Sequence, residues 1–113
     1  MENNNKKNII FTKEVMPETE RHLGVQAYKS IVEKMTDTFI AKNHDYGDSF
    51  AESVRELGPI AGFTPIMHKF NRLKNLVKGN IPMVEDETFE NTLLDMANYC
   101  IMFKMELDKL RDL

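Results

Sequence analysis

Four polar residues near the C-terminus have the types and the spacing that metal chemistry needs. They lie four, four and three residues apart, which would place them on one face of a helix. The four are Glu87, Asn91, Asp95 and Asn98. Carboxylate and amide oxygens are the ligands that Mg²⁺ prefers, together with phosphate oxygens of a bound substrate. The alternative is a solvated helix face, which spacing alone favours, although Asp95 and Asn98 have poor propensity for mid-helix positions.

A basic pair precedes this stripe. Lys69 and Arg72 are three residues apart and would share a helix face. A lysine point charge beside the planar fork of an arginine can hold phosphate oxygens. A basic strip that faces solvent, or that pairs with neighbouring acids, explains the two residues equally well.

The densest polar cluster is the segment Lys42–Gly47. In it Asp45 could ligate a metal, Tyr46 could stack on a base and Lys42 could contact phosphate. The same residues could also form a simple helix stop, with Asp45 accepting hydrogen bonds in a turn. The chain has no glycine-rich phosphate loop, zinc-type Cys/His spacing, dinucleotide fingerprint or serine triad pattern.

The elements that must position these clusters are helices, because apolar residues recur with helical period along most of the chain. We predict an all-α bundle of about four helices. The first should begin between Pro17 and Gly24 and end near Asn43. A tight turn over residues 44–49 should follow, and then a short helix from Ser49 to about Leu57.

Two further helices complete the predicted bundle. Thr64 is expected to cap the third helix, with Pro65 at its first position and Gly79 at its end. Asp86 is expected to cap the last. That helix carries an unbroken seven-residue apolar repeat, which demands a facing helix in the same chain or in a partner. The repeat consists of Phe89, Leu93, Met96, Cys100, Phe103, Leu107 and Leu110.

The chain is short for a self-sufficient core. A domain of 113 residues buries only about two-thirds of the surface that its unfolded chain exposes. We therefore expect an obligate homo-oligomer, a dimer or larger. Residues 1–16 are predicted to form a tail or arm, with a possible short strand between Asn8 and Val15, and residues 17–113 a single helical domain.

Charge and hydropathy limit the classes of partner. The net charge is −3 with both signs interspersed, so no basic field attracts a long nucleic acid. The N-terminal residues lack the apolar stretch of a secretory signal, and no segment is apolar for long enough to cross a bilayer. We expect a cytoplasmic protein that has no membrane partner.

Three segments together resemble a known family. They are Lys42–Phe50, then Lys69 with Arg72 and Leu73, then Glu87 followed by Thr92–Tyr99. In order and at these separations they resemble the nucleotide modification associated domain of the first type, found in phages and bacteria. The resemblance spans about residues 25 to 107. Its most specific parts are the Asp-Tyr-Gly turn and the Asp-x-x-Asn-Tyr segment.

The resemblance implies a function and a set of roles. The family looks similar to all-α nucleotide pyrophosphatases of the MazG type, in which acidic residues hold Mg²⁺ against nucleotide phosphates and a dimer or tetramer completes the site. It implies phosphate contacts from the basic pair and a host cytoplasmic location if a phage encodes the chain. Catalytic roles would fall to Glu87 and Asp95, metal binding to Asp45, Glu87 and Asp95, and ligand binding to Lys42, Asp45, Tyr46, Lys69, Arg72, Asn91, Asn98 and Tyr99.

One position departs from the family pattern. The resemblance implies an aspartate four residues before Asp95, where this chain has Asn91. An amide can coordinate a metal through its carbonyl oxygen but adds no negative charge, so it should weaken Mg²⁺ binding. The paired acidic motifs of MazG enzymes are also missing.

Three hypotheses follow. The first is a nucleotide-binding protein related to Mg²⁺-dependent nucleotide pyrophosphohydrolases. The second is a non-catalytic sponge that sequesters a nucleotide immune signal, which Asn91 favours because such a protein needs few carboxylates. The third is a helical interaction module whose last helix docks a partner and which has no affinity for nucleotides.

Overall fold

The computed structural model describes residues 18–83 and 88–112, with side chains from Gly24 onward. These residues form four helices and no strand: α1 (Glu18–Tyr46), α2 (Ser49–Leu57), α3 (Pro59–Val77) and α4 (Phe89–Arg111). The predicted all-α bundle of about four helices is confirmed. The predicted N-terminal strand and most of the predicted tail lie outside the described residues.

Helix α1 is longer than predicted. It continues three residues past Asn43, so Asp45 and Tyr46 belong to its last turn and not to a loop. Gly47 has φ 65° and donates its amide to the carbonyl of Asn43 at 2.8 Å. This left-handed glycine closes the last helical hydrogen bond and ends the helix, as glycine commonly does.

The start of α3 differs from the prediction. Gly58, at φ 85°, joins α2 to α3, and Pro59 stands in the first turn of α3. Thr64 is therefore not a cap, and Pro65 lies inside the helix. The Thr64 hydroxyl instead donates to the carbonyl of Ile60 at 2.6 Å. An internal proline costs about 3 kcal/mol in helix stability, and packing of this first half of α3 against α4 opposes that cost.

That packing is close at one point. Gly62 is buried, and a Cβ built on it would overlap the ring of Phe103 in α4. The absence of a side chain at Gly62 lets the two helices approach each other. Helix α3 also packs against α2, and α2 contacts α4 as well, so these three helices pack against one another.

Helix α4 begins with a threonine cap. Thr88 has extended backbone, and its side chain accepts a hydrogen bond from the amide of Asn91 at 3.1 Å. Asp86, the predicted cap, lies outside the described residues, and so does Glu87.

The chain divides into two compact units, Met1–Val32 and Glu33–Leu113. In the described part of the first unit, which is helical, Val25, Tyr28, Ile31 and Val32 expose their side chains. The second unit holds the small buried core, which consists of Met35, Ala51, Val54, Gly62, Thr92 and Glu106. The predicted boundary between residues 16 and 17 stays a prediction.

Many large apolar side chains of the second unit remain exposed. Leu93 and Leu110 of the predicted α4 repeat are nearly half exposed, and Cys100, which the sequence suggests is buried, is exposed too. None of the helices in the described ranges is long and apolar enough to cross a membrane.

Candidate functional site

The carboxylate of Asp95 joins two lysines from different helices. Its Oδ2 lies 3.2 Å from Nζ of Lys69 in α3, and its Oδ1 lies 3.7 Å from Nζ of Lys42 in α1. The Asp95 and Lys69 side chains are 27% and 22% exposed, whereas Lys42 is 61% exposed. Two positive groups therefore surround one negative group, and Lys42 retains access to solvent.

A small cavity of about 320 Å³ opens beside this cluster. Helices α1 and α4 form its walls, with the polar side chains of Thr38 and Asn91 and the apolar side chains of Met35 and Leu94. The charged groups in its lining are Lys34, Lys42 and Asp95. Two ammonium groups and one carboxylate make its lining positive, which suits an anion.

A larger groove of about 600 Å³ lies on the same unit. Four aromatic residues contribute to its lining: Phe39, Tyr46, Phe50 and Tyr99. The rings of Phe50 and Tyr99 have centroids 5.9 Å apart and planes inclined at 38°, a tilted arrangement within the range that aromatic pairs favour. The volume lies within the range of small-molecule sites, about 300–1,000 Å³.

The cavity and the groove share three lining residues. Lys42, Asp95 and Asn98 line both. The positive cavity and the aromatic groove therefore meet at a cluster of one ammonium, one carboxylate and one amide.

The far end of the groove holds a second charged pair. Glu106 is only 6% exposed, and its Oε2 accepts a hydrogen bond from Nζ of Lys109 at 2.9 Å. Glu106 and Lys109 both line the groove. A buried carboxylate is costly unless it is paired, so Lys109 has a structural role there. Glu106 lies eleven residues after Asp95, which corresponds to about 16 Å along the helix axis.

Most of the predicted site residues come together. Asn91 lines the cavity, Tyr46 and Tyr99 line the groove, and Lys69 reaches the cluster through Asp95. Glu87 lies outside the described residues, so its catalytic and metal roles stay predictions.

Asp45 and Arg72 make other contacts. The Asp45 carboxylate is 3.3 Å from Nδ1 of His44, and both side chains are exposed. Arg72 donates from Nε to the hydroxyl of Thr92 at 3.3 Å, a contact that joins α3 to α4. Neither residue is in the lining that the described residues give to the cavity or the groove.

The predicted Mg²⁺ ligands are spread over different contacts in the part of the chain that the structure describes. In residues 18–83 and 88–112 no three His, Cys, Asp or Glu side chains stand close enough together to hold a metal. Asp45 and Asp95, the two predicted ligands in this range, are engaged by His44 and by two lysines respectively. Because Mg²⁺ is usually held by one or two carboxylates together with substrate phosphate oxygens, the Mg²⁺ cofactor stays a prediction, with Glu87 as a further predicted ligand.

Sequence reasoning missed several residues that line the site or support it. Glu106 and Lys109 continue the stripe of Asp95 and Asn98 at helical spacing, and extending that stripe by about three turns would have found them. Thr92, 1% exposed, holds Arg72 and donates to the carbonyl of Thr88 at 2.7 Å. No sequence signal distinguishes it from an ordinary helical threonine.

Comparison with known families identifies a matching family model. The family described as nucleotide modification associated domain 1 matches residues 42–107. The matched range includes every described lining residue of the aromatic groove except Phe39 and Lys109. No curated protein and no solved structure matches the chain.

Proposed function

The chain belongs to the family described as nucleotide modification associated domain 1, and on that premise we propose that it binds one small nucleotide in the cavity between α1 and α4 and in the adjoining groove. The observation that carries the proposal is the shared lining of Lys42, Asp95 and Asn98. A nucleotide has an anionic part and a flat aromatic part. A positive cavity that opens into an aromatic groove matches both.

The phosphate part occupies the small cavity. Lys34 and Lys42 are charge-assisted donors there, and such hydrogen bonds are about twice as strong as neutral ones. Asn91 and Asn98 add amide donors from α4. Lys69 also pairs with the Asp95 carboxylate. Asp95 therefore neutralises only part of the positive charge of Lys42, and Lys42 can still attract a phosphate.

The base occupies the groove. Stacking of a base on an aromatic side chain contributes about 1–3 kcal/mol. Tyr46 is 72% exposed, so its ring can move over a base without losing packing against the rest of the protein. Phe50 and Tyr99 supply the more buried surface.

Sequestration is the form of this function that the geometry supports best. Asp95 is held by two lysines, and an acid in that position balances charge rather than binding a cation. The protein then retains the nucleotide unchanged, as a sponge for a nucleotide immune signal would. Metal-assisted hydrolysis is the second candidate, because Asp95 lies at the junction of cavity and groove and the family resembles Mg²⁺-dependent pyrophosphohydrolases. It additionally requires Glu87.

The proposal includes the setting in which the protein works. Its partner is a small nucleotide and not a long nucleic acid or a membrane, and its compartment is the cytoplasm. The exposed apolar side chains of the second unit support a homo-oligomer, since a single copy leaves them in water.

The test uses the purified full chain. It is incubated with nucleoside mono-, di- and triphosphates and with cyclic and ADP-ribose nucleotides, with and without Mg²⁺, and bound and released species are identified by mass spectrometry. We expect at least one nucleotide to be recovered intact from the protein. Loss of phosphate or pyrophosphate that depends on Mg²⁺ would replace sequestration by hydrolysis, and the absence of binding to every nucleotide would refute the function.

A pair of variants locates the site. Lys42→Ala should weaken binding about tenfold, or about 1.4 kcal/mol, because it removes a phosphate donor. Lys78→Ala removes an exposed lysine that lines neither the cavity nor the groove of the described residues, and it should leave affinity unchanged. Equal losses in the two variants would mean that the lysines act only through net charge.

A further inference from the structure

Helix α3 carries an apolar stripe that the other described residues of the second unit leave exposed. The stripe has the heptad spacing of a helix seam, with steps of three and four residues. Its members are Ile60, Phe63, Met67, Phe70, Lys74 and Val77. The five apolar members are between 39% and 70% exposed. The opposite side of α3, with Gly62 and Lys69, faces α4.

We propose that this stripe is the contact between two copies of the chain, which pair through antiparallel α3 helices around a two-fold axis. The inference goes beyond nucleotide binding and does not depend on it. A seam of this spacing packs best against a helix with the same repeat, and a two-fold axis supplies one without any further partner.

Lys74 decides the direction of the pair. In a parallel pair the two Lys74 side chains would face each other, and their like charges would repel. In an antiparallel pair the seam positions match so that Lys74 faces Phe63 of the second copy, and Met67 faces Phe70. Lys74 already lies over the ring of Phe70, with Nζ 5.6 Å from its centroid. An aromatic face is a favourable neighbour for an ammonium.

The residues beside the stripe permit self-association. The positions that flank a heptad seam and usually carry its charges are occupied here by Thr64, Ile66, Asn71 and Leu73, which are uncharged. Helix α3 has no acidic residue. Its basic or titratable residues His68, Lys69 and Arg72 lie away from the seam. Apart from Lys74, no charge along this contact therefore repels a second copy or selects an acidic partner.

The area is sufficient for a reversible dimer. Five large side chains at this exposure represent on the order of 500 Å² in each copy, which is the size of the largest apolar patch on a typical monomer, and such a patch often marks an interaction site. Two copies bury roughly 1,000 Å² of apolar surface, near the lower limit for specific interfaces. We therefore expect a dimer that dissociates on dilution.

Sedimentation measures this directly. The full chain should sediment as a dimer at high concentration and shift toward monomer on dilution. Met67→Glu places an acid beside the two-fold axis in both copies and should give a monomer with unchanged helical circular dichroism. The matched control is Ile81→Glu, at an 84% exposed position after α3, and it should remain dimeric. A wild-type monomer at all concentrations, or a Met67→Glu dimer, overturns the proposal.

Disulfide trapping tests the direction independently of stability. In a Cys100→Ser background, the double variant Phe63→Cys with Lys74→Cys should form disulfide-linked dimers on oxidation. The two positions are eleven residues apart on one helix, about 16 Å, too far to bridge within a chain. Lys74→Cys alone should not crosslink, because antiparallel pairing separates the two copies of that position. Crosslinking through Lys74→Cys alone would indicate a parallel pair and contradict the inference.

Discussion

Oδ2 of Asp95 in α4 lies 3.2 Å from Nζ of Lys69 in α3, and fewer than three-tenths of either side chain is exposed. This ion pair is more sheltered than the contact between Asp95 and Lys42, where the lysine is 61% exposed. Asp95 is consequently held by α3 while Lys42 remains accessible for an incoming phosphate.

We predict that Asp95→Asn strengthens nucleotide binding several-fold. The substitution keeps the shape of the side chain and frees the ammonium groups of Lys42 and Lys69 from a competing carboxylate. Titration calorimetry with the nucleotide identified by mass spectrometry measures the change, in buffer with and without Mg²⁺.

The opposite result has a clear meaning. If Asp95→Asn abolishes binding or turnover only when Mg²⁺ is present, the carboxylate serves as a metal ligand and the hydrolytic candidate is favoured. Unchanged far-ultraviolet circular dichroism is the control that the variant is folded.

Tyr46→Ala should weaken nucleotide binding by about 1–3 kcal/mol, the contribution of one stacked base. Tyr46 lines the groove and is 72% exposed, so the substitution should leave the unfolding midpoint unchanged. Tyr28 has the same exposure but does not line the groove. Tyr28→Ala is therefore the matched control, and an equal loss of affinity in both variants would place the base elsewhere.

Lys109→Ala should destabilise the fold by about 1–2 kcal/mol, because it leaves the buried carboxylate of Glu106 without its partner. Lys104 pairs with Asp108 on the exposed side of the same helix, so Lys104→Ala should cost less than about 0.5 kcal/mol. Urea unfolding of both variants measures the difference.

A third substitution separates loss of the pair from loss of charge. Glu106→Met removes the buried charge and keeps most of the volume, and such replacements are often neutral or stabilising. It should therefore be more stable than Lys109→Ala. The reverse order would show that the carboxylate itself stabilises the fold.

Gly62→Ala should lower stability by up to about 2 kcal/mol. Alanine gains about 1 kcal/mol in helix propensity over glycine, but its Cβ would overlap the ring of Phe103, and overpacking of this kind costs about 1–3 kcal/mol. Gly24 lies in α1 with nothing within 4 Å of a built Cβ. Gly24→Ala should cause no loss in thermal unfolding, and a stabilising Gly62→Ala would show that Phe103 moves aside freely.

The sequence by itself determined the helices and the polar clusters. Helical period is a local property, so the extent of α2 and the presence of α4 follow from residues a few positions apart, and so does the common face of Asn91, Asp95 and Asn98. The order of the Asp-Tyr-Gly turn and the Asp-x-x-Asn-Tyr segment was also sufficient to identify the family that matches residues 42–107.

Local rules were wrong where packing outweighs them. Thr64-Pro65 has the composition of a helix start, yet α3 begins at Pro59 and passes through Pro65. The first half of α3 makes the close approach of Gly62 to Phe103, and residues so far apart in sequence leave no periodic signal of that contact.

Only the tertiary structure decided which charges meet. That Asp95 accepts both Lys42 and Lys69, that Glu106 is buried beside Lys109, and that the outer face of α3 is exposed depend on contacts between helices. A sequence pattern shows that a helix has a polar or an apolar face, but the rotation and packing of neighbouring helices determine what that face contacts.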